Sequence, residues 1–373
     1  MLELARWAPS GDNTQPWRFE LAADGWIVVH AFDTRRHCVY DLAGRASQLS
    51  VGALLETIRI AASAHGMTAH VVRRVDCSDE APTFDVRLAS SPGLHIDGLH
   101  ACIRTRSVQR KRLSRRPLDA TAKAALSAAV GSRHRVVWFE GSDRLRLAWL
   151  AVRSAKIRLT IPEAYAVHRD IIAWDTNFSA DRVPDRALGA SPASLASMRW
   201  AMASWARVHR MNRFFGGTLL PRIELDLLPA ICCAAHFAIV ADKAPLGIDD
   251  YVDAGAAVQR FWLTACSLKL QLQPQYTPLV FAAYARDHVQ FTARSTGSAA
   301  AARAVEIERM LSKLLGKTDA EAAVFLGRVG AGPAAAARSV RLPLDRLMWS
   351  GPGTGPDTRT DPDLLAFIAR RVA

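Results

Sequence analysis

The spacing of hydrophobic residues along the chain predicts alternating strands and helices. Strand-like runs at 17–21 and 26–32 predict a hairpin, and runs at 69–73 and 83–88 predict two further strands. Between them, residues 47–66 carry apolar side chains at helical spacing and end at a glycine, which favours the end of a helix. These elements predict one α+β unit.

From residue 99 the pattern starts afresh. We expect a basic helix at 101–113, a helix at 119–130 capped by Asp119, and a strand at 135–139. Segments rich in Trp, Met and Arg at about 144–225 predict a helical insertion. The remaining predicted elements are strands at 231–241, 280–285, 289–292 and 323–329, helices at 251–270 and 299–315, and a turn at 330–333.

Two of the predicted helices resemble each other. Residues 50–67 and 253–270 both place a small residue beside a glycine, and apolar residues follow at matching offsets. This similarity indicates an imperfect internal duplication. We therefore divide the chain into a first unit at 1–97, a second unit at 98–349 that contains the insertion, and a flexible tail at 350–373.

Composition narrows the class of protein. The chain has 373 residues, of which 50% are hydrophobic and 22% charged, and this composition predicts a folded globular protein rather than a disordered one. Its net charge of +13, mostly from arginine, attracts anions: nucleic acid, an acidic membrane face, or the phosphate of a small cofactor. Charge alone does not choose among these three.

The cysteines and apolar runs predict a cytoplasmic protein without metal. The six cysteines are scattered, with no C-x-x-C pair and no His spacing typical of zinc, so we expect free thiols in a reducing compartment and no metal site. The longest apolar run, 227–241, is shorter than a bilayer span requires, and the first residues lack the apolar core of a signal peptide. We therefore expect no membrane partner.

One segment, 8–19, has the polar groups to bind a planar heteroaromatic ring. Ser10, Asn13 and Gln15 offer donors and acceptors, while the neighbouring prolines hold the backbone open. The same residue types are typical of an ordinary turn, and that reading stays open.

Two further segments supply positive charge. Residues 103–117 contain seven basic side chains, an arrangement that also occurs in nucleic-acid patches, although no aromatic residue lies among them. In the predicted helix Arg106 and Arg110 share a face beside Ser107, which suits a phosphate. Residues 327–344 contain a predicted glycine turn followed by two more arginines.

Taken together, these segments resemble the nitroreductase superfamily of flavin enzymes. The signature Pro-Ser-x-x-Asn-x-Gln-Pro-Trp is present at residues 9–17, residues 106–107 resemble the opening Arg-Ser motif, and residues 341–343 resemble the closing Arg-x-Pro stretch. The resemblance spans roughly residues 4–347. It implies antiparallel sheets flanked by helices, with two nitroreductase-like units of one chain packed as a pseudo-dimer around bound FMN.

The resemblance also assigns site residues. Those that would hold the FMN phosphate are Arg106, Ser107, Arg110, Gly330, Arg338 and Arg341. Those that would line the isoalloxazine are Pro9, Ser10, Asn13 and Gln15, and Gln275 or Tyr276 would approach N5. The loop at 268–278 lacks the glycines typical of the family, and the usual lysine near N1 has no clear counterpart.

Two functions follow from the resemblance. In the first, FMN carries a hydride from NADH or NADPH to a small nitro, quinone, enone or heterocyclic acceptor in a ping-pong cycle, without a catalytic side chain. In the second, the protein holds FMN with little or no turnover, because the Trp-rich stretch 198–213 covers the ring. We expect a small-molecule substrate and no nucleic acid. The resemblance leaves open an adenylating-enzyme partner and the choice between monomer and homodimer.

Overall fold

The computed structural model describes residues 1–23, 25–292 and 297–351, so the predicted tail lies almost wholly outside the described residues. The first unit forms one antiparallel sheet, in the order β1-β2-β4-β3, with a long helix against it. Its elements are α1 (Leu2–Ala5), β1 (Trp17–Leu21), β2 (Ile27–Ala31), α2 (Arg45–Ser63), β3 (Met67–Arg73) and β4 (Thr83–Ser90).

The second unit forms another four-stranded antiparallel sheet, and the insertion interrupts it. The strands of the sheet run in the order β10-β11-β9-β5. The elements up to β9 are α3 (Ala120–Ala129), β5 (His134–Phe139), α4 (Gly141–Arg158), α5 (Pro162–Ile171), β6 (Ile172–Ala173), β7 (Phe178–Ser179), β8 (Val183–Pro184), α6 (Pro192–Met202), α7 (Trp205–Phe214), α8 (Leu219–Pro221), a π-helical stretch (Arg222–Leu227), α9 (Leu228–Ile231) and β9 (Ala235–Ala241). The later elements are α10 (Ile248–Ser267), β10 (Leu270–Pro274), α11 (Thr277–Arg286), α12 (Gly297–Leu315), α13 (Lys317–Ala322), β11 (Ala323–Ala331) and β12 (Arg338–Ser339).

The two units meet where α2 crosses α10, and the contact is reciprocal. A Cβ atom on Gly52 would lie 1.9 Å from the carbonyl oxygen of Val252, and one on Gly255 would lie 2.1 Å from the carbonyl oxygen of Leu49. Only glycine allows two helix backbones to approach this closely. Equivalent positions of the two similar helices therefore exchange equivalent contacts, as they do across a two-fold interface.

After β12 the chain returns to the first unit. Trp349 N donates to Phe19 O at 2.7 Å, and Leu347 is fully buried in the core beneath β1 and β2. Arg6 donates to the carbonyl of Leu342 at 3.0 Å. The arginine-bearing segment that follows β11 is thus fixed against the residues at the start of the chain.

The α+β fold class, with antiparallel sheets flanked by helices, is confirmed. The structure also confirms the predicted hairpin and the helices that correspond to α2, α10 and α12. It confirms the Asp119 cap, because the carboxylate of Asp119 accepts from Ala122 N at 2.7 Å. Four predictions were wrong. Residues 280–285 lie in α11 rather than in a strand, because a short buried apolar run has no periodicity that separates the two, and Pro278 starts the helix.

The predicted basic helix at 101–113 is also wrong. Only a short 3₁₀ helix, Gly98–Cys102, forms there, and the next residues are extended and tied to the second sheet. Gln109 N donates to Leu272 O, Leu113 N to Cys232 O, and Ser114 N to Ala331 O. Residues 289–292 form no strand, and Gly330 lies inside β11 instead of in a turn.

All of the cysteines lie in the described part of the chain, so the structure shows their bonding state and burial. All six cysteines are free thiols, of which Cys102 and Cys233 are buried. Within the described ranges, no His, Cys, Asp and Glu side chains group in threes or more as a metal ion would need. Nor does any helix there have the length and apolar character needed to cross a bilayer.

Candidate functional site

A cavity of about 670 Å³ opens among the first unit, the second unit and the insertion. Residues 9–14, the extended segment 106–110 and residues after β12 all reach it, so the three segments that carry the sequence motifs meet at one place. Of the predicted site residues, those that line the cavity are Pro9, Ser10, Asn13, Arg106, Ser107, Arg110, Gln275, Tyr276, Arg338 and Arg341. Gln15 and Gly330 do not line it.

Three arginines form one end of the cavity, here called the arginine end: Arg106, Arg338 and Arg341. Arg106 Nη2 donates to Trp7 O at 3.1 Å, and its guanidinium lies 4.4 Å from the centre of the Trp262 ring. Arg338 Nη2 donates to the carbonyl of Arg106 at 3.3 Å. Contacts from these side chains go to backbone carbonyls and aromatic rings, which orient the guanidinium groups without neutralising their charge.

No carboxylate in the described part of the chain lies within ion-pair distance of the arginine end. Burial, reinforced by the charges of Arg341 and Arg338, holds the pKa of Arg106 well below its usual range. Burial and the neighbouring Arg338 and Arg6 lower the pKa of Arg341 to about 9. Like charges gathered away from water in this way favour the binding of an anion.

The amides of the signature segment bind neighbouring chain segments and position the arginine end. Asn13 Oδ1 accepts from Arg341 Nη1 at 2.9 Å, while Asn13 Nδ2 donates to the carbonyls of Ala180 and Val340 at 3.0 and 3.2 Å. Gln15 is fully buried; it donates to Ala180 O at 2.8 Å and accepts from Leu342 N at 2.9 Å. In the structure these amides therefore tie three chain segments together.

The other end of the cavity, here called the mixed-charge end, pairs arginine with carboxylate. Arg158 Nη2 contacts both oxygens of Asp226 at 2.9 Å. Tyr40 Oη lies 3.1 Å from His168 Nε2, and burial lowers the pKa of His168 to about 3, so this ring is neutral at ordinary pH. Asp12 also faces this end.

Arg110 belongs to the mixed-charge end, because the charged groups that act on it lie there. The charges that act on its guanidinium are those of Asp12 and Arg158, and its Nη1 donates to Ala187 O at 3.2 Å. The predicted helix that grouped Arg110 with Arg106 does not form, which explains why the extended chain separates them. Gly330 packs in β11, where an added Cβ would lie 3.0 Å from Ala234 N and Ser114 O.

Sequence reasoning missed Arg328, which is fully buried in β11. Its Nη2 donates to the carbonyls of Gln109, Arg110 and Lys111 at 3.2, 2.9 and 2.7 Å, and its Nε donates to Gln273 Oε1 at 2.7 Å. The predicted helix does not form here, and the hydrogen bonds of Arg328 hold segment 106–111 in place instead. Its only sequence signal was a charged residue within an apolar strand.

The insertion supplies an apolar wall. Met202, Met211, Phe215 and Leu220 line the cavity, although Phe215 and Leu220 are also largely exposed to solvent. Trp200 and Trp205 do not line it. Trp205 packs between Tyr165 and His209, with its ring tilted against both at centroid distances of 5.5 and 6.0 Å. The predicted cover is therefore built of methionine, leucine and phenylalanine, while the tryptophans pack elsewhere.

Comparison with known proteins gives a local match. Over 72 residues the chain is 39% identical to proteins named NAD(P)H nitroreductase acg from two strains of Mycobacterium tuberculosis, CDC 1551 / Oshkosh and ATCC 25618 / H37Rv. The match covers 19% of this chain and 22% of each relative, so the chain spans about a fifth of the length of the curated relatives it matches. No family model matches the chain.

Among solved structures, a nitroreductase-like family protein from Bacillus cereus superposes with a TM-score of 0.35 and 13% identity. The superposition covers 69% of this chain and 97% of that protein. The named relatives confirm the resemblance to the nitroreductase superfamily.

Proposed function

We propose that this nitroreductase-like chain is an FMN-dependent oxidoreductase that passes electrons from NADH or NADPH to a small nitro, quinone, enone or heterocyclic acceptor. The observation that carries the proposal is the arginine end: three clustered cations, Arg106 buried and Arg338 and Arg341 half-buried, without a carboxylate partner in the described part of the chain, placed in the cavity that the signature residues border. The local likeness to a nitroreductase supports the redox class.

The residues present fit an FMN phosphate. Arg106 Nε and Arg338 Nε are buried donors that lack a hydrogen-bond partner, a costly state for a charged group. A phosphate dianion would accept from both and offset the repulsion among the three guanidinium groups. The cavity of about 670 Å³ also falls in the size range of pockets that hold molecules of this size.

When bound, FMN would supply the hydride chemistry. The chain's own residues would hold the phosphate at the arginine end and place Pro9, Ser10, Gln275 and Tyr276 along the remainder of the cavity. The apolar wall of the insertion would exclude water from the acceptor. We assign no catalytic acid or base to hydride transfer itself.

The two units, 1–97 and 98–349, would form a pseudo-dimer that together builds this one site. The reciprocal glycine contacts of α2 and α10 support this organisation, and so does the division of the site between segments of both units. A cytoplasmic location, a small-molecule substrate and the absence of nucleic acid belong to the same proposal.

A protein that holds FMN with little turnover is the alternative. It would require that the apolar wall formed by Met202, Met211, Phe215 and Leu220 keep an acceptor out of the cavity. In this alternative the arginine end also holds FMN. The two functions differ only in whether an acceptor can enter the cavity.

One experiment tests both. The purified protein, loaded with FMN, is mixed anaerobically with NADH or NADPH while the visible flavin absorbance is followed. Rapid bleaching that a quinone or nitroaromatic reverses supports the oxidoreductase, and flavin that stays oxidised supports the holding protein. A protein that cannot be loaded with FMN contradicts both.

A further inference from the structure

We infer that the Asp12 carboxyl, which lines the cavity, is a substrate-positioning group that donates a hydrogen bond to a carbonyl or nitro oxygen of the acceptor. The inference rests on the proposed function, because it assumes that the acceptor enters this cavity. It adds a polar contact that fixes the acceptor at the mixed-charge end, away from the arginine end.

Asp12 is the one unpartnered carboxyl among those that line the described cavity. Asp226 pairs with Arg158, and Glu224 accepts from Ser191 N at 2.6 Å. Asp41 accepts from Thr34, Ala46 and Ser47. By contrast, no described residue donates to the Asp12 side chain or lies within ion-pair distance of it. Its acid group is therefore available to a ligand.

The backbone around Asp12 is held in an unusual conformation. Asp12, Asn13 and Gln15 have φ angles of 50°, 64° and 48°, which fall in the left-handed region that Asp and Asn adopt more readily than other side chains do and that costs energy for Gln15. The surrounding hydrogen bonds of Asn13 and Gln15 maintain this turn, so they also aim Asp12 at the cavity. Such strain is frequent at ligand-binding sites.

The surroundings of Asp12 favour its protonated form. Burial raises its pKa, the charge of Asp41 raises it further, and Arg110 and Arg158 act in the opposite direction. Arg158 is already paired with Asp226, which moderates its influence. The other titratable groups that face this end are Cys38, Tyr40 and His168, which burial keeps neutral.

The chemistry of the acceptor explains why a neutral acid suits this position. A quinone, enone or nitro group has oxygen acceptors but no donor, and its oxygen gains negative charge as the compound is reduced. A protonated carboxyl beside that oxygen donates a hydrogen bond to it in the ground state. The hydrogen bond strengthens as negative charge develops on the oxygen. An ionised carboxylate at the same place would repel the oxygen.

The test is equilibrium dialysis of FMN-loaded protein against tetramethyl-1,4-benzoquinone, whose fully substituted ring resists addition of the free thiols. Dissociation constants are measured from about pH 4.5 to about pH 8, a range that begins just above the ordinary pKa of aspartate. The variants are Asp12→Asn, which keeps a donor but cannot ionise, and Asp12→Gly, which has neither. Both residues tolerate a positive φ, so the turn is preserved. Asp181→Asn, an exposed residue outside the cavity, is the matched control.

For the wild type and Asp181→Asn we expect affinity to fall as pH rises through the pKa of Asp12, approaching tenfold per pH unit. Asp12→Asn should bind with no such dependence, and Asp12→Gly should bind about tenfold more weakly than the wild type at the acid end. Quinone binding that is absent, that ignores pH in the wild type, or that keeps the wild-type profile in Asp12→Asn overturns the inference. The flavin absorbance of the same samples separates the two claims: lost FMN contradicts the proposed function, and retained FMN with a flat profile contradicts only the role of Asp12.

Discussion

The two ends of the cavity place the same residue type in opposite electrostatic settings. At the mixed-charge end, Arg158 is paired with Asp226, so its charge is already balanced within the protein. At the arginine end, the hydrogen-bond and ring partners that the described residues offer to Arg106, Arg338 and Arg341 are carbonyls, an amide and aromatic rings. A paired buried arginine stabilises the fold, whereas clustered unpaired arginines indicate a site for an anionic ligand. The groups that surround each arginine, more than the residue type, therefore distinguish the two roles.

The largest effect is expected from removing the arginine end. Arg106→Ala combined with Arg341→Ala deletes at least two charge-assisted contacts to phosphate, each worth about 1.5–3 kcal/mol, so FMN affinity should fall by about 100-fold or more. Fluorescence titration of the flavin-free protein measures it. Arg146→Ala, a mostly exposed position, is the control and should retain wild-type affinity. Unchanged affinity in the double variant would remove the phosphate assignment.

Both ends depend on the crossing of α2 and α10, so Gly255→Ala is expected to disturb them together. The new methyl group meets a backbone carbonyl that cannot move independently, and the free energy of unfolding should fall by about 3 kcal/mol. Denaturant melts provide the measurement. Gly98→Ala, which meets nothing within 4 Å, should stay within about 0.5 kcal/mol of the wild type. Equal losses in the two variants would show that the close crossing is unimportant.

Asp226→Asn should turn Arg158 into a partly buried cation without a carboxylate. Because the pair is partly accessible, we expect a loss of about 2 kcal/mol in the free energy of unfolding, below the range for fully buried pairs. Replacing both partners, as Arg158→Met with Asp226→Leu, should recover part of that loss. If the double variant is no more stable than the single one, the ion pair does not neutralise this end as described.

The last prediction concerns the dependence of stability on pH, an effect that is small for each pH unit. Burial lowers the pKa of His168 from 6.5 in the unfolded chain to about 3, so between these values the unfolded state binds a proton that the native state does not. This residue therefore makes stability fall as pH falls from about 6.5 toward 3, by less than about 1.4 kcal/mol per pH unit. His168→Gln should show a shallower slope in urea melts over that range. An identical slope in the variant would mean that His168 is not held neutral.

The sequence predicted the parts of this molecule that local pattern determines. Alternating and helical spacing located the first hairpin, α2, α10 and α12, and a capping aspartate located α3. The sequence did not predict contacts between residues that are distant along the chain. Segment 106–111 is extended because Arg328, more than 200 residues away, binds the carbonyls of residues 109–111, and no local pattern predicts that contact.

In the candidate site, too, local motifs predicted some residues correctly and did not predict the long-range contacts. The motifs indicated Arg106, Arg338 and Arg341, and the structure brings the three to one end of one cavity. Asn13 and Gln15 were expected at the ring but bind backbone instead, because their partners lie between 165 and 328 residues further along the chain. The pairing of Arg158 with Asp226 across 68 residues gave no sequence signal.

The most direct measurement compares FMN with riboflavin, which differs only by the phosphate. Binding of both flavins to the flavin-free wild type and to the Arg106→Ala, Arg341→Ala double variant is measured by fluorescence titration at the same salt concentration. The account predicts that the wild type prefers FMN by about 100-fold or more, and that the preference nearly vanishes in the double variant while riboflavin affinity is retained. Equal affinity of the wild type for both flavins would contradict the claim that the arginine end binds a phosphate.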